Sequence, residues 1–362
     1  MAPRIIWNNL LQTLGAVIVP SSEETSLPRS ALLRPHQTDV LRFKLGWDIK
    51  VAENDGVDFD PGSGEFLATI TEAHYDTAAL IAANIVTRLN AGGFTSAGCT
   101  YSANKFTITD TVNEALNFGS GADFYRSIHP DLGYTSTNKA SAMSHLAENV
   151  SYQSRRCINI DLGAAQSFTV AAILGHNISG PGIVRLDGHT ATMIGIGLLA
   201  TTPGFTQVLA GGTGLRLAYF ASQSKRYLRL VIDDVQNPTG YNELGVLFVG
   251  TYLETLGFAP EVIDAREELS SISYAIGGAH HTARRATRKV WELRLHRIDA
   301  AKKVELEAFA DSVRAGGAFF FDFDGTGANV RYVFLAEGLI FESQETVPLT
   351  WNVRVRFLES LG

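Results

Sequence analysis

The sequence is short of several things, and each shortage excludes something. It has two cysteines in 362 residues, Cys99 and Cys157. That is too few for a disulfide framework, so folding in a reduced cytosolic compartment is the expectation. Charged residues make up 19% and the formal net charge is −7. Phosphate binding needs concentrated Lys and Arg, so no dominant nucleic-acid surface is expected. No run of about 18 apolar residues without charge occurs, so no membrane span is expected. The opening MAPRIIWNNLLQTLGAVIVP is broken by Asn8, Asn9 and Gln12, unlike the unbroken core of a signal peptide. No fixed short repeat is visible. His-Glu-x-x-His, Cys-x-x-Cys and a Ser/His/Asp arrangement are missing, and Gly211-Gly212-Thr213-Gly214 lacks the Lys-Ser/Thr of a phosphate loop. No catalytic residue, metal site or cofactor is therefore expected.

What is present is apolar and β-rich. Hydrophobic residues make up 45%, enough for two or three cores at this length. Strand patterns occur at 4–7 and 15–19, and at 49–51 and 57–59 around the turn signal Asn54-Asp55-Gly56. A half-buried strand pattern over 65–71 leads to a helix capped by Asp76, with Ile81, Ile85 and Leu89 on one face and Gly92-Gly93 at its end. A hairpin over 100–109 follows. Residues 135–150 are polar and weakly periodic and read as a linker. Residues 151–252 are almost pure β, with strands at 157–162, 168–176, 183–186, 227–233 and 244–253, the spacing of a sandwich or jelly roll. Near the C-terminus, strand 290–298 precedes a helix capped by Asp299, with Leu306, Phe309, Ala310 and Val313 in register. Four further strands end the chain.

One motif invites an enzyme. FFFDFDGTG (319–327) places Asp322 and Asp324 where haloacid-dehalogenase-type phosphatases present a nucleophile and a general acid. Such a motif should open an α/β domain, but the residues after Gly327 read as strands. A hairpin turning at Asp324-Gly325 fits better, with Asp322 facing solvent or a turn amide. The pair Asp233 and Asp234 offers too few oxygens for Ca²⁺ on its own.

Three stretches resemble known families. INIDLGAAQSFTVAAILGHNISG (158–180) resembles the opening of a discoidin-like or galactose-binding-like jelly roll, and SKRYLRLVID (224–233) resembles a penultimate strand of that fold. Residues 1–42 resemble its first strand and spike. From 288 onward the chain resembles the tail-hub domain of distal tail and related minor tail proteins of long-tailed phages, with Trp291, Phe309, Gly316, Phe320, Asp322, Tyr332 and Trp351 in the recurrent places. Tyr75, Leu80, Ile81, Leu89 and Asn90, then Leu132-Gly133-Tyr134, resemble a strand–helix–hairpin unit of phage baseplate proteins.

These resemblances imply a mainly β fold with minor α: a jelly-roll β-sandwich (1–42 and 151–252), an inserted α+β unit (43–150) and a C-terminal β-barrel-like tail domain with one helix (253–362). They imply a structural virion protein of a phage tail tip or baseplate, assembled in the host cytoplasm, and not an enzyme. It would form part of a homo-oligomeric ring, hexameric or trimeric, docking tail tube, hub and fibre proteins. The alternative is a carbohydrate-binding module that contacts a host glycan. Candidate ligand contacts are His176 and Asn177 at a strand end, and Asp187 and His189 in a loop. The basic cluster His280, His281, Arg284, Arg285 and Arg288, with Lys289 and the neighbouring Trp291, is a candidate subunit interface. Lipid or nucleic-acid contact is its rival use.

Overall fold

The structure is a computed structural model. It describes the chain except residues 1, 14, 35–37, 52–53, 61–63, 122, 124–125, 190–202, 213, 256–260, 269–270, 275–279, 284–286, 314–316, 344–349 and 361–362. At 13, 261–262, 268, 271–274 and 280–283 it describes the backbone alone.

Among the described residues, 14 strands form one antiparallel sheet. Its centre is a long pair, Arg156–Leu174 with Leu215–Asp233. Two strands expected separately, at 157–162 and 168–176, are one strand. Residues 162–165 bulge against Arg226, where the register slips between Asp161 and Gln166. A bulge sharpens twist and bends a strand, so each half joins a different layer. The first half pairs with Val17–Pro20, the second with Val246–Glu254. Ile183–His189 and then Phe205–Val208 extend the other side. Between the layers lie Leu11, Phe43, Ile158, Ile160, Phe168, Ile173, Leu186, Leu230, Leu247 and Val249, all buried. The chain is mainly β, and this part is a jelly-roll sandwich.

The sheet does not stop there. Strand Arg4–Asn9 pairs on one side with Val246–Glu254 and on the other with Ala318–Asp322. Beyond it come Val330–Leu335, Trp351–Glu359, Thr287–Ile298 and, at the edge, Glu261–Glu268. Alternation sends Ile5, between Leu253 and Phe321, to one face, and Ile6, between Tyr252 and Phe320, to the other. Ile5 joins a core with Trp291, Leu306, Phe309, Phe319 and Phe357. This core is covered by helix Ala300–Ser312, whose cap is Asp299, accepting from the Lys302 amide at 2.8 Å. Ile6 joins Val170, Leu217, Val246, Phe248 and Phe320 in a further core.

The expected C-terminal barrel does not close. The sheet instead curls until side chains meet across it. Tyr219 donates to Asp322 Oδ2 at 2.8 Å. Gly327, at φ +86°, lies so near Leu217 that a Cβ would sit 3.3 Å from its Cδ2. Asp322 is fully buried, and its oxygens also accept the amides of Asp324, Gly325 and Gly327 at 3.3, 3.1 and 2.8 Å. Arg4 lies 4.3 Å and 4.4 Å from the Tyr219 and Tyr252 ring centres, and donates to Glu254 at 2.9 Å. The carboxyl that suggested a nucleophile thus ties the Gly-rich turn to the jelly roll.

The inserted unit has its own core: Trp47, Val57, Phe59, Ile81, Ile85, Leu89, Phe106, Phe118 and Tyr134. Three expectations fail here. Asn54-Asp55-Gly56 is not a hairpin turn, because Trp47–Ile49 pairs with Ala73–Tyr75 while Gly56–Asp60 pairs with Phe66–Thr69. Asn54 instead bonds Asp48 O and Asp131 Oδ2 at 2.8 and 2.7 Å, and Arg126 binds Asp55. The cap of helix Ala78–Gly92 is Thr77, not Asp76. The presumed linker holds strand Lys139–Leu146, paired with Lys105–Leu116. Its two register slips blur the alternation that would have marked it.

Asp322→Ala strips the acceptor from three turn amides and the Tyr219 hydroxyl. A loss of about 3 kcal/mol is expected, since each orphaned buried donor costs roughly 1–3 kcal/mol. Urea unfolding followed by tryptophan fluorescence measures it. A loss under about 0.5 kcal/mol, the size of an ordinary surface change, would mean that the turn is held by other contacts.

Candidate functional site

The jelly roll has two ends, and the candidate ligand residues divide between them. His176 and Asn177 follow strand Arg156–Leu174. Ile183 pairs with Asp233 nearby, whereas His189 pairs with Tyr227 at the far end of its strand. Six residue steps along the strand separate Ile183 from His189, roughly 20 Å. Asp187 is 2% exposed and held by a bidentate Arg185, at 2.9 Å to each oxygen. His189 is 4% exposed. The four residues do not make one site.

At the His176 end, two loops brace each other. Asn177 Nδ2 donates to Thr239 Oγ1 and Tyr241 O at 3.2 and 3.1 Å, and its Oδ1 accepts the Glu243 amide at 2.8 Å. Asn237 returns a bond to Asn177 O at 3.1 Å. Buried Asp234 accepts from the Ser179 amide and hydroxyl, Asn237 and Asn242. Arg216, 5% exposed, donates to Gly182 O and Ser179 O at 2.6 and 2.9 Å. Asn177 is therefore a brace, with its amide spent inside the protein. Asp234 likewise has its oxygens engaged by donors from both loops. The outward surface of this end carries Gln236, Pro238 and Thr239, all exposed, and part-exposed Tyr241. The Arg42 guanidinium lies 4.3 Å from the Tyr241 ring centre, and Leu45, 56% exposed, borders Gly240.

A second polar cluster joins the inserted unit to the jelly roll. Arg156, fully buried, binds Asp48 Oδ2 at 2.5 Å, and also Lys44 O, Gly46 O, Gln153 and Ser154. His74 Nδ1 meets the other Asp48 oxygen at 2.5 Å. Its Nε2 lies 3.1 Å from Asp76 Oδ1, near enough for an ion pair but unaligned for a hydrogen bond. Burial pushes the Asp48 carboxyl up, but His74 and Arg156 outweigh it and hold it low. The bond to Asp48 raises His74 in turn. Nothing in the sequence patterns flagged this cluster. An Arg at the head of an apolar strand was its one visible sign.

Arg288 pairs with Glu267 at 2.7 Å. Trp291, expected at an interface, is 4% exposed and packs on Phe323 in the C-terminal core, because its strand turns that face onto helix Ala300–Ser312. The backbone of His280 and His281 forms strand His280–Ala283. Arg284 and Arg285 lie outside the described residues.

No family model matches the chain, and no curated protein matches it. Among solved structures, a family 32 carbohydrate-binding module of C. perfringens NanJ, in complex with galactose, is 10% identical over 68% of this chain and all of its own, at a TM-score of 0.30. Chitosan-binding module 2 of a Paenibacillus chitosanase/glucanase, with chitotriose, is 18% identical over 41% of this chain and 96% of its own, at 0.21. A fucolectin from striped bass (Morone saxatilis) serum is 14% identical over 42% and 57%, at 0.21. Likeness this distant transfers no ligand or partner.

Burial holds His129 and His176 down at about 4, with Arg155 and Arg216 adding to the effect. Unfolded histidine titrates near 6.5. Between these values the unfolded chain takes up protons that the folded chain refuses, so stability falls as pH drops from about 6.5 toward about 4. His74 acts oppositely: its contribution is full below about 6.5 and fades as pH rises through its raised value. His176→Asn keeps an acceptor for the Ile178 amide, and should flatten the acid slope of the urea midpoint. An unchanged slope would clear His176 of the acid sensitivity.

Proposed function

We propose that the chain is a non-enzymatic recognition protein whose jelly roll offers the Tyr241 end to a carbohydrate, with the other units as a rigid mount. The observation that carries this is the braced loop pair. Asn177, Asn237 and Asp234 fix the loops before any ligand arrives, which lowers the ordering cost of binding. Tyr241 and Leu45 offer apolar surface suited to the C–H face of a sugar ring. Exposed Gln236 beside them supplies a partner for sugar hydroxyls. The non-enzymatic part is supported by the buried carboxylates: Asp48, Asp187, Asp234 and Asp322 each face Arg, His or N–H donors rather than an open cleft. A hydrolase would need two acids converging on substrate.

Glycan-array screening of the full chain, followed by calorimetry on the best hit, tests the proposal. Tyr241→Ala should weaken binding at least about tenfold, the effect of losing roughly 1.4 kcal/mol, with unchanged thermal stability. Failure to retain any glycan at millimolar concentration would sink it.

A second reading makes assembly the main role, as part of a phage tail-tip ring docking tail and fibre proteins. The shared strand Arg4–Asn9 favours it, because load passes between the jelly roll and the C-terminal unit through backbone hydrogen bonds. Negative-stain microscopy of the purified chain should then show closed rings; uniformly dispersed single copies would count against it.

A further inference from the structure

Strand Lys139–Leu146 ends the five-stranded sheet of the inserted unit, and among the described residues no strand pairs with its outer side. The Ala147 amide donates inward to Phe106 O at 2.9 Å. Backbone groups alternate sides along a strand. Those of His145 therefore also turn inward, and those of Ser144 and Leu146 turn to the open edge. The two register slips do not blunt this edge. At one, residues 110–113 of the neighbouring strand stand against Met143 alone, so the extra residues are the neighbour's. At the other, residues 140 and 141 stand against Ala115, which leaves 142–146 extended.

The side chains along this edge carry nothing that repels another strand. Residues 140–146 read Ala-Ser-Ala-Met-Ser-His-Leu, with no Asp, Glu, Lys or Arg. Charge ordinarily keeps an exposed edge from pairing, and strand Glu261–Glu268 has five charged residues in eight. Here Met143 and Leu146 are 56% and 59% exposed. Leu146 shares the outer face with Ser144, Thr107 and Thr100, while His145, opposite Ile108, is buried and bonds Glu114 O at 2.8 Å. Two copies of a chain at −7 repel each other, and least where neutral surfaces meet. We infer that residues 142–146 are the contact between two copies of this chain, paired antiparallel across a two-fold axis. Antiparallel pairing makes one strand its own complement, so a single isologous contact closes both open edges. The five strands of each copy then run on as one sheet. A ladder of this length buries less than the roughly 800 Å² per partner of a standard interface, so the dimer is weak and reversible. The inference does not depend on glycan binding at the Tyr241 end.

Sedimentation velocity of the full chain tests this, run from about 1 to about 200 µM because contacts of this size are weak. The wild type should pass from monomer to dimer across that range. The dimer should hold or tighten between about 50 and about 500 mM salt, as the screening length falls roughly threefold and the repulsion between like-charged copies fades. Ser144→Pro removes an outward N–H at a place where an edge strand tolerates proline. M143K/L146K leaves the backbone alone and moves the net charge from −7 to −5, so any loss of pairing reports the edge and not overall repulsion. Each variant should weaken association at least about tenfold, roughly 1.4 kcal/mol, with unchanged far-ultraviolet circular dichroism. A wild type that stays monomeric to the top of the range overturns the inference. So does a dimer indifferent to both variants, or one that high salt takes apart.

Discussion

Six residues near the N-terminus hold the molecule together. Strand Arg4–Asn9 lies between a jelly-roll strand and a C-terminal strand. Ile5 and Ile6 fill two cores on opposite faces, and Leu10 and Leu11 directly after them fill a third. A one-residue slip of the strand would turn Ile5 and Ile6 to the wrong faces and drag Leu10 and Leu11 out of place. Register is therefore pinned from three directions. Gly250 opposite the bulge near Asn8 shows how tightly, since a Cβ there would lie 2.0 Å from Asn8 O. The two halves of the chain are one sheet because this strand has a partner on each side.

Charge plays the complementary part. A buried ion is tolerated only when its partners meet it in good geometry. Arg156 with Asp48, Arg126 with Asp55, and Arg155 with Asp131 all lie where the inserted unit meets itself or the jelly roll. Each joins residues distant in sequence, so these pairs specify docking where apolar packing alone would allow sliding. The same logic explains Asp322. Its surroundings have the composition of a catalytic loop, but a tyrosine and three amides surround the carboxylate itself. An acid–turn motif is chemically ambiguous until its neighbours are known.

The candidate site shows the same limit. Asn177 looked like a ligand contact because it is polar and ends a buried strand. Its side chain in fact bonds Thr239, Tyr241 and Glu243, some 60 residues away. Tyr241, Leu45 and Arg42 meet at one surface although they come from two separated segments, and no short pattern links them. Asp187 and His189 looked like loop residues because of Gly188 between them, but they lie in strand Ile183–His189, whose partner strand holds them in register and places His189 at the opposite end from His176.

What the sequence determined by itself was local. The alternation over 227–233, the apolar run 168–174, the helix register of Leu306 and Phe309 with its Asp299 cap, and the Gly-Gly stop after Asn90 all depend on neighbours a few residues away, where periodicity and capping chemistry act. Tertiary structure decided whatever depends on a distant partner. It joined two expected strands through a bulge and made a strand of the polar stretch 139–146. It also turned Asn54-Asp55-Gly56 from a hairpin into a buried anchor, buried Trp291, and carried one sheet across both halves of the chain. The reason is physical. Strand pairing and ion pairing are contacts between remote segments, and their energy is absent until the chain has brought those segments together.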